Sequence, residues 1–327
     1  MRTNSYYSLF SAGFWRSYFI TMRPYLLFIS GAAGLVGLAF IPEQSIVRVI
    51  LAFVPLFLSY GLGQALTDCF QTDTDAISSP YRPLVRGTVS RRQVFIISLA
   101  GLLLGAAILA YLNPVILIFG LLSIVGLLTY TFLKRTWWGG PPWNAWIVAL
   151  LPIMGRLVDR GYQIKTFIDF GDRYSLVFFL SVIAVFFAYA NFVVMGYFKD
   201  ISADRVTGYR TFPVVFGWMP AALYSDLTAL VAAVFTGYAL YLLGFPSFWG
   251  TVVFAAAVVI NLTAQVGIHL TRDESRSHKP IANVVRAFVL YCAAIILSLK
   301  VNWFIVIAVF YLLFELTLRY RPERSQV

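Results

Sequence analysis

Apolar residues run along this chain in stretches of about 20, the length that crosses a bilayer as a helix, broken by short polar loops. The runs predict spans near residues 24–41, 46–67, 93–112, 114–133, 143–157, 174–198, 219–242, 247–270, 284–299 and 301–318. The fifth is short, bounded by Pro141-Pro142 and Arg156. The stretch from 284 to 318 is too long for one span and is interrupted only around Lys300, which predicts a tight hairpin. The fold class is therefore all-α, a polytopic membrane protein of nine to ten transmembrane helices. Residues 1–327 are expected to form one domain. An amphipathic segment at 1–22 and a tail at 319–327 are both expected on the cytoplasmic side.

Composition supports the bilayer as a partner. The chain is 60% hydrophobic and 12% charged, with a mean hydropathy of +0.80, outside the range of soluble domains. The net charge of +11 does not point to nucleic acid, because the bases sit in short loops between apolar runs. If the N-terminus is cytoplasmic, 19 of the 25 Lys and Arg fall inside, leaving Arg48, Arg156, Arg160, Lys165, Arg173 and Lys300 outside. That asymmetry sets orientation by the positive-inside rule. It predicts a multi-pass protein of the cell membrane, on this pattern a bacterial inner membrane. Met1 to Arg23 has no cleavage pattern after a short apolar core, so no removable signal peptide is expected. Two cysteines, Cys69 and Cys292, form neither a disulfide framework nor a CxxC site.

Two acidic segments close apolar runs and open basic loops. One is Thr67-Asp68-Cys69-Phe70-Gln71-Thr72-Asp73-Thr74-Asp75, followed by Pro80-Tyr81-Arg82-Pro83; the other is Lys199-Asp200-Ile201-Ser202-Ala203-Asp204, followed by Gly208-Tyr209-Arg210. They hold five of the 14 acids of the chain. Carboxylates beside a bilayer are costly unless they bind something. At about 100° per residue, Gln64, Asp68, Gln71, Thr72 and Asp75 share roughly a third of a helix circumference, and Asp73 points away. Asp200 and Asp204 lie one turn apart. Oxygen ligands so spaced beside arginines suit Mg²⁺ holding a polyphosphate; the blander reading is a solvated helix end with local ion pairs. Tyr130-x-x-x-Lys134 ends a third run on the same face and puts a hydroxyl and an ammonium within reach of phosphate oxygens. Taken alone it reads as a snorkelling lysine beside an interfacial tyrosine. Asn191, Asp226, Asn261 and Gln265 fall inside spans, where helix packing accounts for them as well as function does. His269 and His278 sit near a loop without evident partners.

Together these segments resemble the UbiA superfamily of intramembrane prenyltransferases. Its first motif reads roughly NDxxDxxxD followed by proline and Arg-Pro, its second DxxxDxxxG, with YxxxK between. Here the second motif is Asp200-x-x-x-Asp204-x-x-x-Gly208 and the middle one Tyr130-x-x-x-Lys134. The resemblance covers roughly residues 20–300. In the first motif, anchored on Asp75 and Arg82-Pro83, Thr67 stands at the Asn and Gln71 at the middle Asp. A second register, with Gln64 at the Asn, leaves no acid at position 72 and fits less well.

The resemblance implies two similar helical halves around a central cavity and a Mg²⁺-dependent transfer of a prenyl group from a prenyl diphosphate. Asp68, Gln71, Asp75, Asp200 and Asp204 would be the metal ligands; Arg82, Lys134, Arg135, Lys199 and Arg210 would bind the diphosphate; Tyr130, Lys134, Asp200 and Asp204 would be catalytic. The acceptor would be a lipophilic or aromatic molecule, and the stretch 75–83 looks most like the chlorophyll-synthase branch. A terpene cyclase on the same scaffold, with no external acceptor, is the alternative that the altered first motif keeps open. A transporter would explain the spans but not two acidic segments of this kind.

Overall fold

Side-chain caps mark where the long helices begin. Ser11, Ser45, Asp172 and Ser247 each accept a hydrogen bond from a backbone N–H of the first turn. Ser90 and Gln93 form a reciprocal capping box. Each satisfies N–H groups that the first turn leaves without a helical partner. A computed structural model describes residues 6–43, 45–161, 167 and 169–321. Its helices in chain order are α1 (Ala12–Met22), α2 (Leu27–Ala39), α3 (Ile46–Asp68), α4 (Thr72–Ser78), α5 (Pro83–Arg86), α6 (Arg91–Leu112), α7 (Ile116–Lys134) and α8 (Gly140–Leu157). There follow α9 (Arg173–Gly196), α10 (Ile201–Val206), α11 (Phe212–Phe216), α12 (Trp218–Leu243), α13 (Phe248–Thr271), α14 (His278–Leu299) and α15 (Phe304–Arg319).

Every predicted span is helical, with three differences. The first does not begin at 24: α1 and α2 are one path bent by 48° at Arg23-Pro24. Arg23 takes a left-handed φ of 52°, and Pro24 starts the next turn. So Ala12–Met22 is not a separate surface segment; Phe14 and Tyr18 are buried, and Tyr18 shares a 2.8 Å hydrogen bond with Ser98. The ninth span starts at His278 rather than 284, because the polar face of its first turns hides the helix from a hydropathy count. The third difference, the breaks after α3 and α9, belongs to the site below. The hairpin at Lys300 is present as a single 3-10 turn, Val301–Trp303. Among the described residues eight helices are long and apolar enough to cross a bilayer, and the bent α1–α2 pair makes a ninth. The predicted run outside that count is the fifth, α8, which spans 18 residues with Pro152 inside it and Arg156 in its last turn. Arg2, Lys165, Arg324 and the tail beyond 321 lie outside the described residues.

Small residues let the helices approach. A Cβ on Gly37 would sit 2.0 Å from the Pro152 carbonyl oxygen, and one on Gly155 would sit 2.5 Å from that of Gly34. The α2–α8 crossing is therefore backbone against backbone, as in membrane helices whose association rests on close packing. In the second half, buried amides tie α9, α12, α13 and α14 together. Asn191 donates to Ser225 Oγ at 2.8 Å, Ser225 donates to Gln265 Oε1 at 2.8 Å, and Gln265 donates to Asn261 Oδ1 at 3.0 Å. These residues serve packing. His269 does have a partner, Asp226 at 2.7 Å; the two lie 43 residues apart and only the α12–α13 packing unites them.

Candidate active site

The acidic segments are not the continuous helix ends that the spacing predicts. α3 stops at Asp68 and α4 starts after Gln71, which is its N-cap at φ −122°. α9 stops at Gly196, passes through a 3-10 turn at Tyr197–Lys199, and restarts as α10 after Asp200, its N-cap at φ −116°. The two breaks match at the start of each short helix. Asp75 N donates to Gln71 O at 2.9 Å, and Asp204 N to Asp200 O at 2.7 Å. Gln71 is therefore the counterpart of Asp200, and Asp75 of Asp204. The short helices meet across the pseudo-repeat, where Thr74 and Thr207 hydroxyls lie 3.1 Å apart. Past the Thr207 C-cap of α10, Gly208 has a φ of 76°, a left-handed conformation open to glycine without a Cβ clash. That turn lets Tyr209 N reach back to Asp204 O at 2.8 Å.

Basic groups interleave with the acids. Arg23 Nη2 donates to both oxygens of Asp68, at 2.9 and 3.0 Å, and Gln64 donates to the same carboxylate at 2.6 Å. Arg82 pairs with Asp75 and lies 3.7 Å from Asp68. Lys134 does not snorkel. It is buried, donates to Gln71 Oε1 at 3.1 Å, lies 3.9 Å from Asp204 Oδ1, and faces the rings of Tyr209 and Tyr197 at 5.3 and 5.9 Å. Gln71 in turn donates to Thr131 at 3.3 Å, so its amide orientation is fixed from both ends. Asp204 is fully buried. Burial pushes its carboxyl up to about 6 against the pull of Lys134.

These groups surround one end of a cavity of about 370 Å³. Its polar end is formed by Arg23, Gln71, Asp75, Arg82, Lys134, Lys199 and Asp200, with Tyr130 and Tyr197 beside them. Asp68 and Asp204 stand one layer behind. Arg135 and Arg210 are not brought to it. Arg135 sits outside, bound to Asp73 and Tyr209 at 3.3 and 3.4 Å, and Arg210 offers its backbone N–H to the Arg135 carbonyl while its side chain is exposed. Asp73 points away as its helical angle predicts. The rest of the wall is apolar, from α3, α6, α7, α8 and α9, with Tyr60, Tyr189 and Phe192 among it. It reaches the lipid-facing surface at Val54, Leu58 and Leu104, where α3 and α6 cross at Pro55 and Gly105. Arg23 is the residue that the sequence did not flag. The signal was present as Arg-Pro at the head of an apolar run, but it reads as an ordinary start of a span.

The donors at the polar end suit a hard cation. Gln71, Asp75 and Asp200 offer it oxygen ligands, and behind them Asp204 Oδ1 is buried without a hydrogen-bond donor, with the Lys134 ammonium 3.9 Å away. Among the described residues no three His, Cys, Asp or Glu side chains form a ready-made cage. That fits Mg²⁺, which takes one or two carboxylates and completes its shell with water and substrate phosphates.

Comparison with known proteins agrees with this geometry. The profile of the UbiA prenyltransferase family matches residues 26–284. The chain is 26% identical over 219 residues to digeranylgeranylglyceryl phosphate synthase of Pyrococcus abyssi, covering 65% of this chain and 73% of that protein. It is 27% identical over 238 residues to the bacteriochlorophyll synthase 34 kDa chain of Chloroflexus aurantiacus, covering 68% of each. A UbiA homolog from Archaeoglobus fulgidus, solved bound to GPP and Mg²⁺, shares the fold with a TM-score of 0.63 at 18% identity, over 86% of this chain and 99% of its own length.

Proposed function

The chain belongs to the UbiA prenyltransferase family, and from that premise we propose that it transfers a long prenyl group from its diphosphate to a lipophilic acceptor that arrives through the bilayer. The observation that carries this reading is the pairing of a charged end, built from both broken helices, with an apolar cavity that reaches lipid at Val54, Leu58 and Leu104.

In this reading the diphosphate head lies among Arg82, Lys134 and Lys199, and the prenyl tail runs along α3, α6 and α7. Mg²⁺ would be held by one or two of the carboxylates Asp75, Asp200 and Asp204, with Gln71 as a neutral oxygen, and would supply the positive charge that makes diphosphate a good leaving group. The chain's own contribution starts with Lys134. Its ammonium is held by neutral Gln71 rather than by a close ion pair, so it keeps charge to offer a phosphate oxygen. Asp68 holds Arg23, and Asp75 holds Arg82, so the two guanidinium groups are oriented before substrate arrives. The apolar wall excludes water from the allylic carbon, and the faces of Tyr60, Tyr189 and Phe192 can stabilise positive charge there.

Two guanidinium groups suggest the acceptor class: Arg23 and Arg82 both line the cavity. They suit an anionic head on the acceptor, such as a phosphate on a lipid, more than a neutral ring. We read this end as the cytoplasmic side of the cell membrane, a reading supported by the positive-inside asymmetry. The test is incubation of detergent-solubilised protein with Mg²⁺, prenyl diphosphates of increasing length, and either polar lipid phosphates or aromatic acceptors, with products identified by mass spectrometry. An adduct to a lipid phosphate is expected. Release of diphosphate with an acceptor-free hydrocarbon would instead establish a cyclase.

A further inference from the structure

α10 begins on a residue whose side chain declines its usual duty. Aspartate is favoured at an N-cap because its carboxylate accepts the free N–H groups of the first turn. Asp200 holds that position in α10 and makes no side-chain hydrogen bond to its own helix. The N–H of Ser202 donates instead to Glu274 Oε2 at 3.0 Å, and the Ser202 hydroxyl donates to Glu274 Oε1 at 2.6 Å. Glu274 comes from the loop between α13 and α14. It opens a 3-10 turn, Glu274–Arg276, that Asp273 caps by accepting from Ser275 N at 2.9 Å. The visiting carboxylate is therefore presented by a turn with its own cap. Asp200, relieved of that bond, lines the cavity.

We propose that Glu274 is a positioning residue for the active site, capping α10 from another loop so that the Asp200 carboxylate stays directed at the cavity. A carboxylate turned back to satisfy the first turn of its helix is drawn away from the orientation that directs it at a cation in the cavity. With Glu274 present the turn is already satisfied, and Asp200 gains nothing by folding back. Without Glu274 the Ser202 N–H is free, and Asp200 is the nearest side chain of the type that caps it. The first acidic segment avoids this competition differently. Its N-cap Gln71 also makes no cap bond, but its amide is anchored by Lys134 and Thr131. The proposal rests on the reading of Asp200 as a cation-binding residue, and its test separates the two.

Mn²⁺ binding is measured by electron paramagnetic resonance on solubilised full-length protein without prenyl diphosphate, for wild type, Glu274→Ala and Glu274→Gln. Glutamine retains an acceptor oxygen for the Ser202 N–H. Glu274→Ala is expected to weaken Mn²⁺ binding about fivefold, the order of a lost cap. It should raise the Mg²⁺ requirement by the same factor and leave kcat at saturating Mg²⁺ unchanged. Glu274→Gln should stay within about twofold of wild type. A stability cycle with Asp200→Ala provides a readout without metal. That change should leave Tm unaltered while Glu274 is present, and lower it by roughly 2 °C in the Glu274→Ala background, where Asp200 has become the cap. Unchanged Mn²⁺ affinity in Glu274→Ala, equal losses in the Ala and Gln variants, or an additive cycle would each overturn the proposal. If wild type itself binds no Mn²⁺, the metal reading falls, and the cycle still decides whether Glu274 is the cap.

Discussion

In the proposed function, Lys134 is the residue on which the chemistry turns. A buried ammonium is costly unless its donors are used, and here a neutral amide, a distant carboxylate and two ring faces share it. Lys134→Met keeps the stem and removes the charge. It is expected to lower kcat by about 100-fold or more, the loss seen when one donor to a developing charge is removed, with Tm near that of wild type. Near-normal turnover would refute the role. Asp204 gives a second test, with signs that oppose each other. Its carboxyl rises from 3.8 to about 6 through burial. Its stabilising contribution to the Mg²⁺-free protein is therefore complete below about pH 4 and lost as pH rises through about 6. Cation binding needs the ionised form and should fall as pH drops through the same value. Thermal unfolding without metal and Mn²⁺ affinity, both measured from pH 5 to 8, should move in opposite directions. A parallel trend would contradict the assignment. The acids and Lys134 were legible in the sequence because their types and spacing carry the chemistry. Arg23 and Glu274 were not, since each acts on a partner at least 45 residues away and distance in the chain leaves no pattern.

At the scale of elements, the sequence showed where helices run but not where they break. Hydropathy averages over a window, and the three residues that separate α3 from α4 do not change that average. The break nevertheless makes the site. It turns Gln71 and Asp75 inward from a second short helix, while Asp68 stays on the first and holds Arg23. The crossing of α3 and α6 is the other feature invisible to periodicity. Gly105 lines the cavity beside Pro55, with a Cβ reaching Pro55 Cβ at 3.4 Å, so alanine fits there and a larger side chain must project into the cavity. Gly105→Phe should fill the lipid-side end of the cavity and shift preference toward shorter prenyl diphosphates. Its kcat/KM for the longest donor should drop by about tenfold or more relative to the shortest. Steady-state assays across a donor series would show this, and an unchanged length profile would mean that the tail leaves elsewhere.

For the whole molecule, the arrangement depends on two halves meeting at one membrane surface. α4 and α10 touch through Thr74 and Thr207, and loops from both halves carry the basic residues that surround the site. The opposite end is held by arginines bonded to carbonyl oxygens rather than to acids: Arg160 donates to Leu112 O at 2.7 Å and to Tyr111 O at 3.0 Å. Bases at that end are thus absorbed by the ends of helices, whereas bases at the site end outnumber the acids, the pattern expected of a surface that faces the anionic side of a membrane. This predicts the topology. A cysteine replacing exposed Arg210 should resist a membrane-impermeant maleimide in intact cells and react after lysis. One replacing Tyr111, which is 77% exposed at the other end, should react in intact cells. Cys69 and Cys292 are both buried and should stay silent, so the native chain can serve as background. The reverse pattern would put the diphosphate site outside the cell, away from the cytoplasmic pool of water-soluble diphosphates, and would overturn the orientation on which the proposed function depends.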